Sequence, residues 1–97
     1  MQVSLKSKKK LLSKMARTAA AVGFAVGPQA GLELLDPLLA DPALERYQPL
    51  HAAHADLLRR VGDPVAAVRA YELAIALSAN AVERAELQRR LSALDAA

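Results

Sequence analysis

The tripeptide Gly62-Asp63-Pro64 constrains this chain more than any other feature. Before it, Leu50, Ala53, Leu57, Leu58 and Val61 recur at helical spacing, which predicts a helix over about residues 49–61. Gly62 is the residue type that closes a helix in the left-handed conformation. Asp63 can cap the next helix and Pro64 can occupy its first position. After it, Val65, Val68, Tyr71, Ala74 and Ile75 share one face, while Arg69 and Glu72 point away. Two amphipathic helices joined by two or three residues must lie antiparallel, so residues 50–78 are expected to form a helical hairpin.

The rest of the chain is punctuated in the same way. Residues 1–8 carry no clear periodicity and are expected to fray. A helix is expected over residues 9–24, with Leu11, Leu12, Met15, Ala19 and Val22 on its apolar face. Gly27-Pro28 stops it and starts the next, which should run to residue 39 with a kink or break at Pro37. Asp41-Pro42 begins a short helical turn over residues 42–47. Asn80-Ala81-Val82-Glu83 has the form of a capping box, and Leu87, Leu91 and Leu94 mark a last helix to about residue 94. With 22 Ala, 17 Leu and few β-branched or aromatic residues, composition also points to an all-α fold of about five helices.

Charge divides the chain unevenly. Lys6, Lys8, Lys9, Lys10, Lys14 and Arg17 give the first 17 residues a charge of +6, and the remaining 80 carry −3. Every later basic residue is Arg. This predicts a basic, partly disordered head over residues 1–17 and a helical domain over residues 18–97. At 97 residues the chain makes one domain at most. Absence of Cys excludes disulfides and thiolate metal sites, and fits a cytoplasmic protein. No run of eighteen apolar residues occurs, so no ordinary membrane span is expected.

Aligned on Gly62, the hairpin presents Ala55 and Leu58 in its first helix and Ala67, Tyr71 and Ala74 in its second. This pattern resembles the tetratricopeptide repeat, in which small residues mark a close helix crossing and an aromatic ring fills the space beside it. Ala55, Leu58, Gly62, Ala67, Tyr71 and Ala74 are therefore the expected packing residues of one repeat. The sequence departs from that signature at His51, His54 and Ala79, where a large aromatic, Leu and Pro are usual. Only one repeat is clear, and residues 28–47 are a candidate for a degenerate second one. A lone repeat cannot bury its own face, so flanking helices should cap it.

A wider resemblance covers residues 27–94. Its signs are Gly27-Pro28, Gly31-Leu32, Leu34-Leu35-Asp36, Leu50-His51-Ala52-Ala53, Ala55-Asp56-Leu57-Leu58-Arg59-Arg60 and Gly62. Ala81, Glu83-Arg84 and Leu87 with Arg89-Arg90-Leu91 continue them. Together they are similar to the carboxy-terminal extension of one class of bacterial extracytoplasmic-function RNA polymerase sigma factors. The regions of that family that grip polymerase and promoter DNA have no room in the 26 residues before Gly27, so promoter recognition does not carry over. The resemblance implies a detached regulatory or scaffolding module from a truncated or split gene. It also implies a protein partner, RNA polymerase or a sigma-factor region.

Candidate chemistry is sparse. His51 and His54 stand three apart on one helix, a metal-compatible spacing, but no third ligand accompanies them. Helix packing is the expected role of both, and no metal or cofactor is expected. No paired carboxylates, Ser-His-Asp arrangement or Gly-rich phosphate loop occurs, so the expectation is a protein that is not an enzyme. Lys8, Lys9, Lys10, Lys14 and Arg17 are candidate electrostatic contacts. They admit three readings: a solvated tail, a nucleic-acid or anionic-membrane binder, or, with the apolar run from Ala19 to Val26, a secretory signal. Arg59, Arg60, Arg89 and Arg90 are either solvated or the edge of a groove for an acidic partner segment.

Overall fold

A computed structural model describes residues 5–96, with the side chains of Leu5, Lys9, Asp95 and Ala96 excepted. Five helices follow one another: α1 (Leu5–Ala25), α2 (Pro28–Leu39), α3 (Gln48–Val61), α4 (Pro64–Ala76) and α5 (Ala81–Ala96). A 3₁₀ turn, Pro42–Leu44, lies between α2 and α3. Among the described residues there is no strand. α1 packs on α2 and α3, α3 packs on α2 and α4, and α5 packs on α4. The Cα extents of 51 × 31 × 19 Å describe an elongated slab, the shape produced by hairpins stacked in one direction.

The expected punctuation is present at each boundary. Gly62 adopts φ 91° and ψ 28°. Its amide donates to the Arg59 carbonyl at 3.2 Å, and the Asp63 amide donates to the Leu58 carbonyl at 2.9 Å. That double bond pattern satisfies carbonyls that the end of α3 leaves open. Asp63 Oδ1 then accepts from the Ala66 amide at 3.2 Å, so one short segment closes α3 and caps α4. Asp41 Oδ1 accepts from the Ala43 amide, 2.9 Å, at the 3₁₀ turn. Asn80 Oδ1 accepts from the Glu83 amide, 2.9 Å, ahead of α5. Glu83 answers Asn80 through the Asn80 side-chain amide, 2.6 Å, rather than through its backbone.

Three expectations change. The helix expected to begin at residue 9 begins at Leu5, and the composition boundary at residue 17 falls inside α1. Residues 5–17 are helical because Leu12 and Ala16 are buried in the core and hold that segment to the rest. The apolar face of α1 also lies elsewhere. Leu11 and Met15 are 59% and 47% exposed, and the buried stripe is Leu12, Ser13, Ala16, Ala19 and Gly23. α2 runs unbroken through Pro37 to Leu39. Pro37 is two residues from the helix end, so its missing amide removes one late bond, and buried Leu35 and Leu38 anchor the chain on both sides.

Two core clusters share α3. Leu12, Ala16, Ala19, Leu35, Leu38, Leu44, Leu50 and Leu57 form the first, between α1, α2 and α3. Ala55, Ala67, Ala70, Tyr71, Ala74 and Leu87 form the second, between α3, α4 and α5. The two hairpins are in register with each other. Val61 ends α3 36 residues after Ala25 ends α1, and Pro64 starts α4 36 residues after Pro28 starts α2. At the same offset Ala19 matches Ala55, Gly31 matches Ala67, Leu35 matches Tyr71 and Leu38 matches Ala74, all buried. The hairpin that parallels residues 50–78 is thus α1–α2, and not residues 28–47. Leu35 and Leu38 replace a large and a small residue, which hides the correspondence from sequence reading.

The α1–α2 crossing depends on glycine. A Cβ on Gly31 would lie 2.9 Å from the Ala19 carbonyl oxygen and 3.0 Å from the Gly23 Cα. Both are backbone atoms, so the helices could approach this closely only without a side chain there.

Candidate interaction groove

Five of the six residues expected to pack the α3–α4 hairpin meet, and the sixth, Gly62, stands apart from them in the exposed turn. Ala55, Ala67, Tyr71 and Ala74 are fully buried, Leu58 packs against them half-buried, and Gly62 makes the turn. Tyr71 does more than fill space. Its ring is buried in the second core cluster, while its hydroxyl emerges beside Asp56 of α3 and donates to Asp56 Oδ1. Arg59 Nε donates to the same hydroxyl at 3.3 Å. Arg90 Nη1, from α5, donates to Asp56 Oδ2 at 2.7 Å, and Arg90 Nε donates to Glu86 Oε1 at 3.2 Å. Burial and the hydrogen bond to Asp56 raise the Tyr71 phenol above its ordinary range, against the opposing pull of Arg59. One carboxylate therefore joins α3, α4 and α5.

That junction forms one wall of a groove of about 680 Å³ running along α3 between α1 and α5. Ala52, Ala53 and Leu57 give it an apolar floor, with Ala20 and Phe24 of α1 on one side and Arg90 on the other. Helical spacing produces this lining: Pro49, Ala53, Asp56 and Arg60 lie four, three and four residues apart on one face of α3. Three arginines line the groove, Arg59, Arg60 and Arg90, against the single carboxylate of Asp56.

The arginines are not equivalent. Arg90 is paired with Asp56 and Glu86, and Arg59 is bonded to Tyr71. Arg60 reaches across to α1, where its guanidinium carbon stands 4.6 Å from the centroid of the Phe24 ring. Its Nη1 is buried without a hydrogen-bond partner. Phe24 is 80% exposed. Arg89 pairs with Glu86 and does not line the groove.

A second depression of about 420 Å³ holds both histidines, with Leu39, Leu58, Arg69 and Leu73 around them. His51 Nε2 donates to the Glu45 carbonyl at 2.9 Å, which ties α3 to the turn before it. Burial, then the proximity of His51, lowers the His54 pKa, and Asp36 partly opposes this. Among the described residues no group of three His, Asp or Glu side chains is placed to hold a metal ion.

The basic residues of α1 lie away from both depressions. Lys8 pairs with Asp41 at 3.7 Å. Lys10, Lys14 and Arg17 are exposed, and the Lys9 side chain lies outside the described residues. Among the described residues no helix is long and apolar enough to cross a membrane.

Sequence reading named Arg59, Arg60, Arg89 and Arg90 as possible groove edges, and the structure places Arg59, Arg60 and Arg90 in the lining and Arg89 outside it. Sequence reading missed Phe24, Ala20 and the junction at Asp56, because nothing in the sequence announces that α1 lies beside α3. No family model matches the chain, no curated protein is similar to it, and no solved structure matches it.

Proposed function

We propose that this chain is a non-catalytic protein-interaction module whose α1–α3–α5 groove receives a segment of a partner protein. The observation that carries this reading is the groove itself: an apolar floor with an arginine rim, formed where two stacked hairpins meet a last helix. Its size and composition suit a peptide segment, and the groove residues form no nucleophile–base pair. The packing at Ala55, Ala67, Tyr71 and Ala74 supports a tetratricopeptide-like repeat, a type of scaffold that binds on such surfaces. The resemblance of residues 27–94 to a sigma-factor extension points to a setting in transcription initiation, with RNA polymerase or a sigma-factor region as partner.

A photo-crosslinking residue at Ala53 should capture one partner reproducibly from the native host, and one at exposed Val82 should not. Equal capture from both positions would remove the groove from the proposal.

A second reading is an anionic surface binder through α1. It is favoured by exposed Lys10 and Lys14 beside exposed Leu11 and Met15, a combination suited to a membrane surface. Deleting residues 1–17 cannot separate the readings, because Leu12 and Ala16 belong to the core. Replacing Lys10, Lys14 and Arg17 with Gln removes the charge and keeps the helix. Vesicle or nucleic-acid binding that vanishes in that variant supports the second reading, and unchanged binding ends it.

A further inference from the structure

We infer that the groove takes an acidic segment of its partner, and that Arg60, braced on Phe24, is the residue that receives a carboxylate. This rests on the interaction reading above and specifies the chemistry of the occupant. Three independent observations converge on it.

The first is charge. Three arginines face one carboxylate in the groove lining, and that carboxylate is already engaged by Arg90 and Tyr71. The lining therefore keeps an excess of positive charge over an apolar floor. The second is Arg60. It has no ion pair among the described residues, and one of its guanidinium nitrogens is buried with no acceptor. Nη1 itself is closed to solvent, so the part of this half-exposed, unpaired guanidinium that remains open is what a carboxylate meets, and a carboxylate offers the forked geometry a guanidinium matches best. The third is Phe24. An aromatic ring 80% exposed, with an arginine held over its face, orients the guanidinium and offers an apolar surface beside it. A segment in which acidic and apolar residues alternate satisfies all three at once.

Phosphate backbones suit this lining less well. Nucleic acid is held by many cations along its length, and the groove places Ala52, Ala53 and Leu57 where such cations would have to stand. Lys6, Lys8, Lys10 and Lys14 of α1 are not part of it.

The test uses fluorescence anisotropy of a short labelled peptide of alternating Glu and Leu, its Gln–Leu counterpart, and a labelled single-stranded oligonucleotide. The full chain should bind the Glu peptide about tenfold or more tightly than the Gln peptide, the scale of one charge-assisted hydrogen bond. Arg60→Gln should abolish that difference, and Arg60→Lys should restore only part of it, since an ammonium lacks the fork. Lys10→Gln with Lys14→Gln should leave it intact. Arg60→Gln removes an unsatisfied group, so it should fold, and circular dichroism checks this. Equal binding of the two peptides, an undiminished preference in Arg60→Gln, or tighter Arg60-dependent binding of the oligonucleotide would each overturn the assignment. Ala53→Trp separates this from the broader reading. Loss of binding of both peptides in Ala53→Trp with no effect of Arg60→Gln leaves the groove standing and ends the acidic occupant. No effect of either ends both.

Discussion

Tyr71 offers the sharpest check on the energetics, because one side chain carries two separable contributions. Its ring is 0% exposed among Ala55, Ala67, Ala70, Ala74 and Leu87. Its hydroxyl donates to Asp56 and accepts from Arg59. Tyr71→Ala deletes the ring and leaves a void between helices whose alanines have no length to fill it, at a cost of about 3–5 kcal/mol. Tyr71→Phe keeps the ring and deletes the hydroxyl. Asp56 then retains Arg90 and, being half-buried, gains access to water, so the loss should be about 1–2 kcal/mol, at the low end for a bond to a charged group. A domain of this size has a total stability of about 5–15 kcal/mol, so Tyr71→Ala should be near or past unfolding and Tyr71→Phe should remain folded. At about 4–8 °C per kcal/mol, Tyr71→Phe should lower Tm by roughly 5–15 °C. Urea and thermal unfolding followed by far-ultraviolet circular dichroism measure both variants. Equal losses in the two would mean that the hydroxyl, not the ring, supports the hairpin. An unchanged Tm in Tyr71→Ala would refute the described packing altogether.

Three further outcomes follow from single positions. Gly31→Ala should destabilise by about 1–3 kcal/mol despite alanine's better helix propensity, because its Cβ meets the Ala19 carbonyl and the Gly23 backbone; thermal melts would show a lowered Tm. Gly62→Ala meets no neighbour, so its cost comes from the positive φ alone, about 1–2 kcal/mol, and Gly62→Asn should recover part of it in the same denaturation assay. His54 has its pKa lowered in the folded state, so the unfolded chain binds its proton first as pH falls. Its neutral form is fully compatible with the fold above the ordinary histidine value of 6.5; stability should drop as pH falls below that value and level off below the folded pKa. Urea midpoints across mild acid should show this fall, and His54→Leu should flatten it.

The hairpin at residues 50–78 was legible because its signals are local. Gly62, Asp63 and Pro64 act on backbone conformation within a few residues, and Tyr71 with its alanines repeats at helical spacing. The same holds for Asp41 and Asn80 as caps. The first hairpin was harder to see. Leu35 and Leu38 stand in place of Tyr71 and Ala74, so its packing uses different sizes to fill an equivalent crossing. The face of α1 was misplaced for a related reason. Leu11 and Met15 are more apolar than Ala16, Ala19 and Gly23, yet a close crossing selects small residues over greasy ones.

Helix number, the capped helix ends and the turn that folds α3 onto α4 were thus determined by the sequence alone, since propensity, caps and left-handed glycine act over one or two turns of chain; the start of α1 at Leu5 was decided by the burial of Leu12 and Ala16. The groove was decided only by tertiary structure. Phe24 and Arg60 are 36 residues apart, and Asp56 and Arg90 are 34 apart; no local rule relates either pair. They meet because Gly23 and Gly31 let α1 settle against α2 and α3, and because Leu87 draws α5 onto α4. Close approach of helices is a property of the whole packed set, and it is what leaves Arg60 charged, braced and unpaired at the edge of an apolar floor.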